Sequence, residues 1–461
     1  MENNEAKKLP HPLHWAFQSN LPAMAWPAIP DGNVANMLAL LHQLESSQWL
    51  SPPALRQHQY RQLELVLRHA FASSPYYRQR WAGNFDPSLP LTPQRFAALP
   101  LLSRRELQAN FDDLKCRTIP PHGNVGEATT TGSTGTPVRV LKTELCLLLW
   151  DVFTLRDEIW QRRDLGAKLA MIRHGMPEGE FPNWGRATTG LAATGPLVVL
   201  GIEHDVESQL AWLQRQQPAY LMTHPSLLAE LLKQSSRQGT RLESLREVRT
   251  FGEPVTAVLR AQCTEVWGVP ITDAYSSNEL GYIALQCPGH EHYHVQAEGL
   301  LVEVLDDQGN ACKPGDLGRV VVTTLHNFAM PLVRYDIGDY AEPGGPCPCG
   351  RGLPVLRRIV GRTRNMLVTA EGKRFWIGLG SGTIPQLAPI VQYQFVQTQL
   401  DHVEARLVVS APLTAAQEQA VRARVMVQLP AGFSVSLAYC DAIPRGVTGK
   451  FEDFLSELAI S

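Results

Sequence analysis

The chain has 461 residues, of which 44% are hydrophobic and 19% charged, with a formal net charge of −2; this suits a globular protein with a large domain and one or more smaller ones. It excludes nucleic acid as the main partner, because no basic tract supplies the usual cationic face. It also excludes a membrane span, because no apolar run is long enough. Residues 1–8 lead into prolines rather than an apolar stretch, so no secretory signal is expected. The eight cysteines are mostly scattered and suit a reducing cytoplasm, as free thiols or metal ligands, better than a disulfide framework.

Residues 1–52, rich in Pro, Trp and Asn, read as an irregular cap. Tyr60, Leu63, Leu67 and Ala70 predict a helix from about Pro53 to Ala72, ended by Ser73-Ser74-Pro75. Ser103-Arg104-Arg105-Glu106 has the form of a capping box opening another helix.

Thr129-Thr130-Thr131-Gly132-Ser133-Thr134-Gly135-Thr136-Pro137 offers hydroxyls and unhindered N–H groups and little apolar surface. Such a turn can form a concave anion site. A flexible linker is the alternative, although the strand-like Val138 to Leu141 follows at once. No Gly-Lys-Ser/Thr closes the loop, so it is not a Walker motif. A long helix is expected from Thr143 to Arg162. Strand and helix signals then alternate: strands at 169–172, 197–200, 219–222, 248–251 and 271–274, with helices from Asp205 to Gln216 and after Pro225. Alternation of this kind predicts an α/β sheet wound on both faces, with ligands beyond the carboxyl ends of its strands. A β-rich subdomain is expected at about 299–345, and a separate α+β unit over 362–461, with its clearest helix from Thr414 to Leu429.

Four constellations could carry chemistry. Asp273 to Glu279 places Tyr275 and Glu279 on a loop after a strand, as a stacking ring and a Mg²⁺ carboxylate or as a solvated strand end. Pro331 to Asp339 surrounds a turn with acids, and Asp339 reads either as a ribose acid or as a turn cap. Lys450 closes a Gly-bracketed loop and could neutralise developing charge; an ordinary surface lysine is the alternative. Cys347-Pro348-Cys349, with Cys287 and the histidines at 290, 292 and 294, suggests a Zn²⁺ site or two exposed thiols. A Ser/His/Asp hydrolase has no Gly-x-Ser-x-Gly elbow here.

In their order and spacing these pieces resemble the adenylate-forming superfamily of acyl- and aryl-CoA ligases, most of all its phenylacetate–CoA ligase-like branch. The resemblance runs from about Leu63 to Lys450, beginning with Leu65 to Phe71 and Pro75-Tyr76-Tyr77-Arg78. It implies a large N-terminal adenylation domain (1–361) and a small mobile C-terminal lid (362–461). Thr130, Thr131, Gly132, Ser133, Thr134 and Gly135 would be the phosphate loop. Phe251-Gly252-Glu253-Pro254 resembles the turn beside the adenosine, so Gly252 and Glu253 join Tyr275 and Ser276 as nucleotide residues. Asp339 would be the ribose acid and Glu279 the Mg²⁺ ligand. Gly361-Arg362 resembles the hinge, with Arg362 in the catalytic set beside Lys450. The implied substrates are ATP, a carboxylic acid and coenzyme A, and a homodimer is within the branch's range. Zinc would be held by Cys287, His294, Cys347 and Cys349, with His292 or His290 as substitutes for His294. By position the acid pocket would include His174, Gly175, Trp184 and His224, which suits an aryl acid. Three departures stand out. Thr136 occupies a position often held by Lys, Pro346 to Cys349 lie in an unusually Gly/Pro-rich loop, and Arg364 occupies a hinge position usually held by Asp. The phosphate loop and Arg364 motivate the alternative of transfer to a carrier-protein thiol or an amine; a binding protein without turnover is a further alternative.

Overall fold

The computed structural model describes residues 15–129, 137–362, 366–372, 374–376, 384–443, 451 and 453–458. The N-terminal region departs from the irregular cap expected over 1–52. Asp31 accepts the Val34 N–H at 2.9 Å and opens α1 (Gly32–Ser47). Its Val34, Met37, Leu41 and Leu44 are buried, a spacing that keeps all four on one face. The prolines that suggested irregular chain precede Asp31 or follow Ser51, so they do not interrupt the helix.

α2 (Pro52–Ser73) buries Leu55, Leu63, Val66, Leu67 and Ala70 along one stripe. Short helices follow: α3 (Pro75–Arg80), α4 (Pro93–Ala97), α5 (Arg104–Ala109) and α6 (Phe111–Leu114). The capping box on α5 forms as expected, with Ser103 Oγ accepting the Glu106 N–H and the Glu106 carboxylate accepting the Ser103 N–H. β1 (Val125–Thr129) and β2 (Arg139–Thr143) pair antiparallel, with Thr129 opposite Arg139. α7 (Glu144–Trp160) then packs against α1.

The alternating segment comprises β3 (Leu169–Ile172), β4 (Gly179–Phe181), β5 (Leu197–Leu200), α8 (Val206–Gln216), β6 (Tyr220–Thr223), α9 (Pro225–Gln238), β7 (Glu247–Phe251), α10 (Ala257–Trp267) and β8 (Ile271–Ser277). β5, β3, β6, β7 and β8 pair in parallel, and β4 adds an antiparallel edge. Leu210, Leu213, Leu227, Leu228, Leu231 and Val248 belong to the core beneath α8 to α10. Burying each such side chain contributes roughly 1.5–3 kcal/mol.

β9 (Gly281–Gln286), β10 (Tyr293–Val295), β11 (Leu300–Leu305), β12 (Gly318–Thr324), β13 (Tyr335–Pro343) and β14 (Val355–Arg362) complete the main sheet. Its order is β11-β12-β13-β14-β10-β9-β8-β7-β6-β3-β5-β4. The β-rich segment is therefore antiparallel, as expected, but it is a wing of the main sheet. Continuity comes from β9 pairing back along β8, with Tyr275 opposite Ala284. Arg163 ties the end of α7 to β7, pairing with Asp157, Glu158 and Glu247 in the interior.

The remaining elements are β15 (Met366–Val368), β16 (Arg374–Trp376), α11 (Ile384–Leu387), β17 (Ile390–Gln399), β18 (His402–Val409), α12 (Ala415–Met426), β19 (Ser434–Tyr439) and β20 (Phe454–Ser456). The order β19-β18-β17-β20 makes a separate four-stranded sheet. Its own core includes Phe395, Val403, Leu407, Val421 and Phe454.

Candidate active site

The carboxyl ends of β6, β7 and β8 bring His224, Gly252-Glu253 and Tyr275 to one edge of the main sheet. His224 Nδ1 lies 3.1 Å from the Phe251 carbonyl, and the two rings pack 4.4 Å apart. Gly252 turns the chain at φ +79°, a conformation that favours glycine. Glu253 then accepts the Ser226 N–H at 2.8 Å and the Phe451 N–H at 3.3 Å. The second of these bonds joins the C-terminal segment to the large sheet, one residue beyond Lys450. Lys450 itself lies outside the described residues, as do Thr130 to Gly135, Thr136 and Arg364.

Tyr275 and Ser276 sit within β8 rather than on the expected loop, because β9 pairs with β8 through Ser277. Glu279 follows in the tight turn between the two strands. Tyr275 is buried, and its hydroxyl donates to Asp339 Oδ2 at 2.6 Å. Burial, then the Asp339 charge, pushes the phenol well above its ordinary range, so it stays a donor. Asp339 Oδ1 faces Arg362 Nε at 3.8 Å. Asp339 and Arg362 are partners in the β13–β14 register, so strand pairing sets this spacing. Glu279 is only 4% exposed. Its one cation within ion-pair distance among the described residues is Arg104, at 3.9 Å. A long, single contact leaves the carboxylate oxygens open to a divalent cation.

Arg104 is a residue the sequence reading missed. Leu102 bridges to Tyr335 on β13, accepting the Asp336 N–H at 2.9 Å and donating to the Arg334 carbonyl at 2.9 Å. This bridge docks the first turn of α5 beside Glu279. The capping box was legible; the long-range bridge that gives Arg104 its neighbours was not.

Of the four residues assigned to an acid pocket, His174, Gly175 and His224 follow the adjacent parallel strands β3 and β6, and Trp184 does not join them. His174 Nδ1 pairs with Glu203 at 2.6 Å on the surface, and Gly175 turns the chain at φ +80°. Trp184 Nε1 donates to the Ala167 carbonyl at 3.0 Å, and its ring packs edge-on against Tyr220 at 5.4 Å. Ala167 precedes β3 and Tyr220 opens β6, whereas His174 and His224 follow those strands. A four-residue strand spans about 13 Å, so Trp184 is anchored at the opposite end of the sheet.

A second cluster lies at the far ends of the antiparallel strands. Cys287 follows β9, β10 carries His294, and the loop after β13 folds back with Cys347 and Cys349. One ligand atom from each of the four lies within 4.8 Å of all the others. Cys287 Sγ and Cys347 Sγ are 3.7 Å apart, and His294 Nε2 lies 3.4 Å from Cys349 Sγ. Burial, then the nearby Arg351 charge, lowers His294 to about 4, so its imidazole is neutral at pH 7. His292 is outside this set, its Nε2 lying 3.0 Å from Cys347 Sγ.

Residues 129–330 match the model of the AMP-binding enzyme family. The phenylacetate–coenzyme A ligase of Pseudomonas putida is 28% identical over 340 residues, covering 72% of this chain and 75% of that protein. The Thermus thermophilus protein of the same name is 26% identical over 377 residues, covering 78% of this chain and 82% of that one. The chain is similar to the adenylate-forming superfamily, most of all to its phenylacetate–CoA ligase-like branch. Solved structures show a like fold. A 2-hydroxyisobutyryl-CoA ligase in its post-adenylation state superposes with a TM-score of 0.69 at 19% identity, covering 87% of this chain and 89% of that one. The thioesterification state of the same ligase gives 0.57 at 20% identity, with the same shares covered. No helix among the described residues is long and apolar enough to cross a membrane.

Proposed function

We propose that the protein activates a carboxylic acid with ATP and transfers the acyl group to coenzyme A. The acid's carboxylate oxygen attacks the α-phosphorus, the bond to pyrophosphate breaks, and an acyl-adenylate forms. The thiol sulfur of coenzyme A then attacks the acyl carbon, releasing AMP and the thiol proton. The observation that carries this reading is the convergence of Tyr275, Asp339, Arg362 and Glu279 at the strand ends. Asp339, oriented by the Tyr275 hydroxyl, would accept the ribose hydroxyls. Thr130, Thr131, Ser133 and Thr134 would hold the pyrophosphate portion, with Gly132 and Gly135 allowing close backbone approach. Glu279 fits Mg²⁺, which supplies counter-charge for the departing pyrophosphate. Lys450 would draw the acid carboxylate and the α-phosphate together. Chemistry of this kind depends on placement and counter-charge rather than on a protein nucleophile. An aromatic acid is favoured by the names of the phenylacetate–coenzyme A ligases it resembles.

The Cys287, His294, Cys347 and Cys349 cluster is the proposed structural zinc site. Tetrahedral Zn²⁺ with Zn–S near 2.3 Å has S···S edges of about 3.8 Å and S···N edges of about 3.5 Å. The sulfur–sulfur distance of 3.7 Å and the sulfur–nitrogen distance of 3.4 Å fit those edges. His292 would donate to the Cys347 sulfur and help hold it in place.

The test is acid-dependent ATP–pyrophosphate exchange across a panel of aromatic acids, with wild type and Lys450→Ala, followed by addition of coenzyme A. Exchange that needs both an acid and Lys450, with thioester formed in the second stage, is the expected result. No exchange with any acid would overturn the proposal.

A further inference from the structure

We infer that Glu253 is a positioning residue for adenylation: together with one polar face of α9 it forms the dock on which the C-terminal sheet is seated, and it binds the peptide unit that joins Lys450 to Phe451. This rests on the reading above, which gives Lys450 its part in the first step. It assigns the Glu253 carboxylate to the protein's own chain rather than to the nucleotide.

The carboxylate bridges two parts of the molecule. At the start of α9 its Oε2 accepts the Ser226 N–H at 2.8 Å and its Oε1 accepts the Ser226 hydroxyl at 3.1 Å. The same Oε1 accepts the Phe451 N–H at 3.3 Å. A second contact lies farther along the helix, where Lys233 Nζ donates to the Val391 carbonyl of β17 at 3.0 Å. Between the two, Glu230 approaches Tyr393 of β17. Burial, then the Asp453 charge and the Glu230 charge, push that phenol up. Ser226, Glu230 and Lys233 are four and three residues apart, so they share one face of α9. Leu227, Leu228, Leu231 and Leu232 are buried on the other.

The elements that meet this face are tied to each other. The Phe395 N–H donates to the Asp453 carbonyl at 2.8 Å, and β17 pairs in parallel with β20. Val391 and Phe451 therefore belong to one body, the sheet with its own core around Phe395 and Phe454. Ser226 and Lys233 are about 10 Å apart along the helix axis. Two contacts so spaced fix an orientation that a single contact would leave free. Orientation is what a step that depends on placement requires, since an error of about 1 Å can cost about 10²-fold in rate.

The experiment uses the full chain, with Glu253→Ala and Lys233→Met as variants and phenylacetate as the acid probe. In ATP–pyrophosphate exchange kcat should fall in both, about tenfold or more in Glu253→Ala for loss of bonds to a charged group. The KM for ATP should stay within about twofold. Deuterium uptake by the backbone amides of residues 451–458 should quicken in both variants as the dock loosens. Thermal melts establish that the variants fold, and Lys233→Met carries the test alone if Glu253→Ala does not. A raised KM for ATP with kcat held in Glu253→Ala would return the carboxylate to the nucleotide and overturn the inference. Unchanged deuterium uptake in the folded variants would also overturn it, as would quickened uptake with kcat unmoved. If the wild type shows no pyrophosphate exchange with any acid while uptake still quickens in both variants, the adenylation reading falls and the dock stands.

Discussion

The two ends of the antiparallel wing are built differently, although the same strands reach both. Glu279 precedes β9 and Cys287 follows it; Asp339 lies on β13 and Cys347 in the loop after it. At the Glu279 and Asp339 end the charged groups are held apart, with Arg362 at 3.8 Å from Asp339 and Arg104 at 3.9 Å from Glu279. At the Cys/His end the four ligand atoms are gathered within 4.8 Å. Spacing separates the roles. On the proposed reading, the wider spacing would leave room for a substrate and its counter-ion, whereas the close packing of soft donors would suit a closed structural site.

The largest effect should come from breaking the open end. Glu279→Gln keeps the shape and removes the charge, so exchange should fall about 10²- to 10³-fold with little change in melting temperature. A stopped assay alongside a thermal melt checks both; a large loss of stability with activity intact would erase the distinction between the two ends. Cys349→Ser should do the reverse. About one equivalent of zinc per chain is expected by elemental analysis of the wild type, and the variant should lose it. Stability should drop by more than about 2 kcal/mol while the KM values for ATP and acid hold. An unchanged melting curve would sink the zinc assignment.

How much of this was legible in the sequence depended on the distance over which each feature is specified. The strands at 169–172, 197–200 and 300–305 were legible because short apolar runs bounded by turn residues define them locally. The order of motifs marked Glu279, Asp339 and the Cys/His set. Three features were hidden because they rest on tertiary pairing. Arg104 acquires its role from the bridge between Leu102 and Tyr335. Tyr275 faces Asp339 because β9 folds back along β8. The antiparallel wing joins the main sheet through that same pairing. Trp184 had the right chemistry for an aryl pocket, but its bond to the Ala167 carbonyl puts it at the wrong end of the strands.

Asp273, on β8 between β7 and β10 side chains, offers a further test. It is buried, accepting from Thr250 on β7 at 2.6 Å and from Tyr293 on β10 at 2.7 Å. Burial pushes its carboxyl up to about 6, against the lowering effect of those two hydroxyls and of Arg260. The folded state therefore holds this proton more tightly than the unfolded chain. Its contribution to stability is complete below about pH 4 and is lost as the pH rises through about 6, an effect of up to roughly 3 kcal/mol. Asp273→Asn should remove that slope. Urea midpoints for wild type and variant should diverge between pH 4 and 7, and parallel curves across that range would rule the titration out.

The smallest expected effect belongs to Tyr275→Phe, which separates orientation from charge within the open end. The variant loses only the hydroxyl that donates to Asp339 at 2.6 Å; the ring and its packing remain. A hydrogen bond to a charged group contributes about 1.5–3 kcal/mol, but Asp339 keeps Arg362 nearby and can turn toward it. The loss should therefore fall at the low end, about tenfold in kcat/KM for ATP, with the KM for the acid unmoved. If the acid KM rises instead, Tyr275 bears on the acid rather than the ribose, and the nucleotide assignment of Asp339 loses its support. If neither constant moves, Asp339 is held by strand pairing with Arg362 alone, and the register of β13 with β14 is the sole source of its orientation.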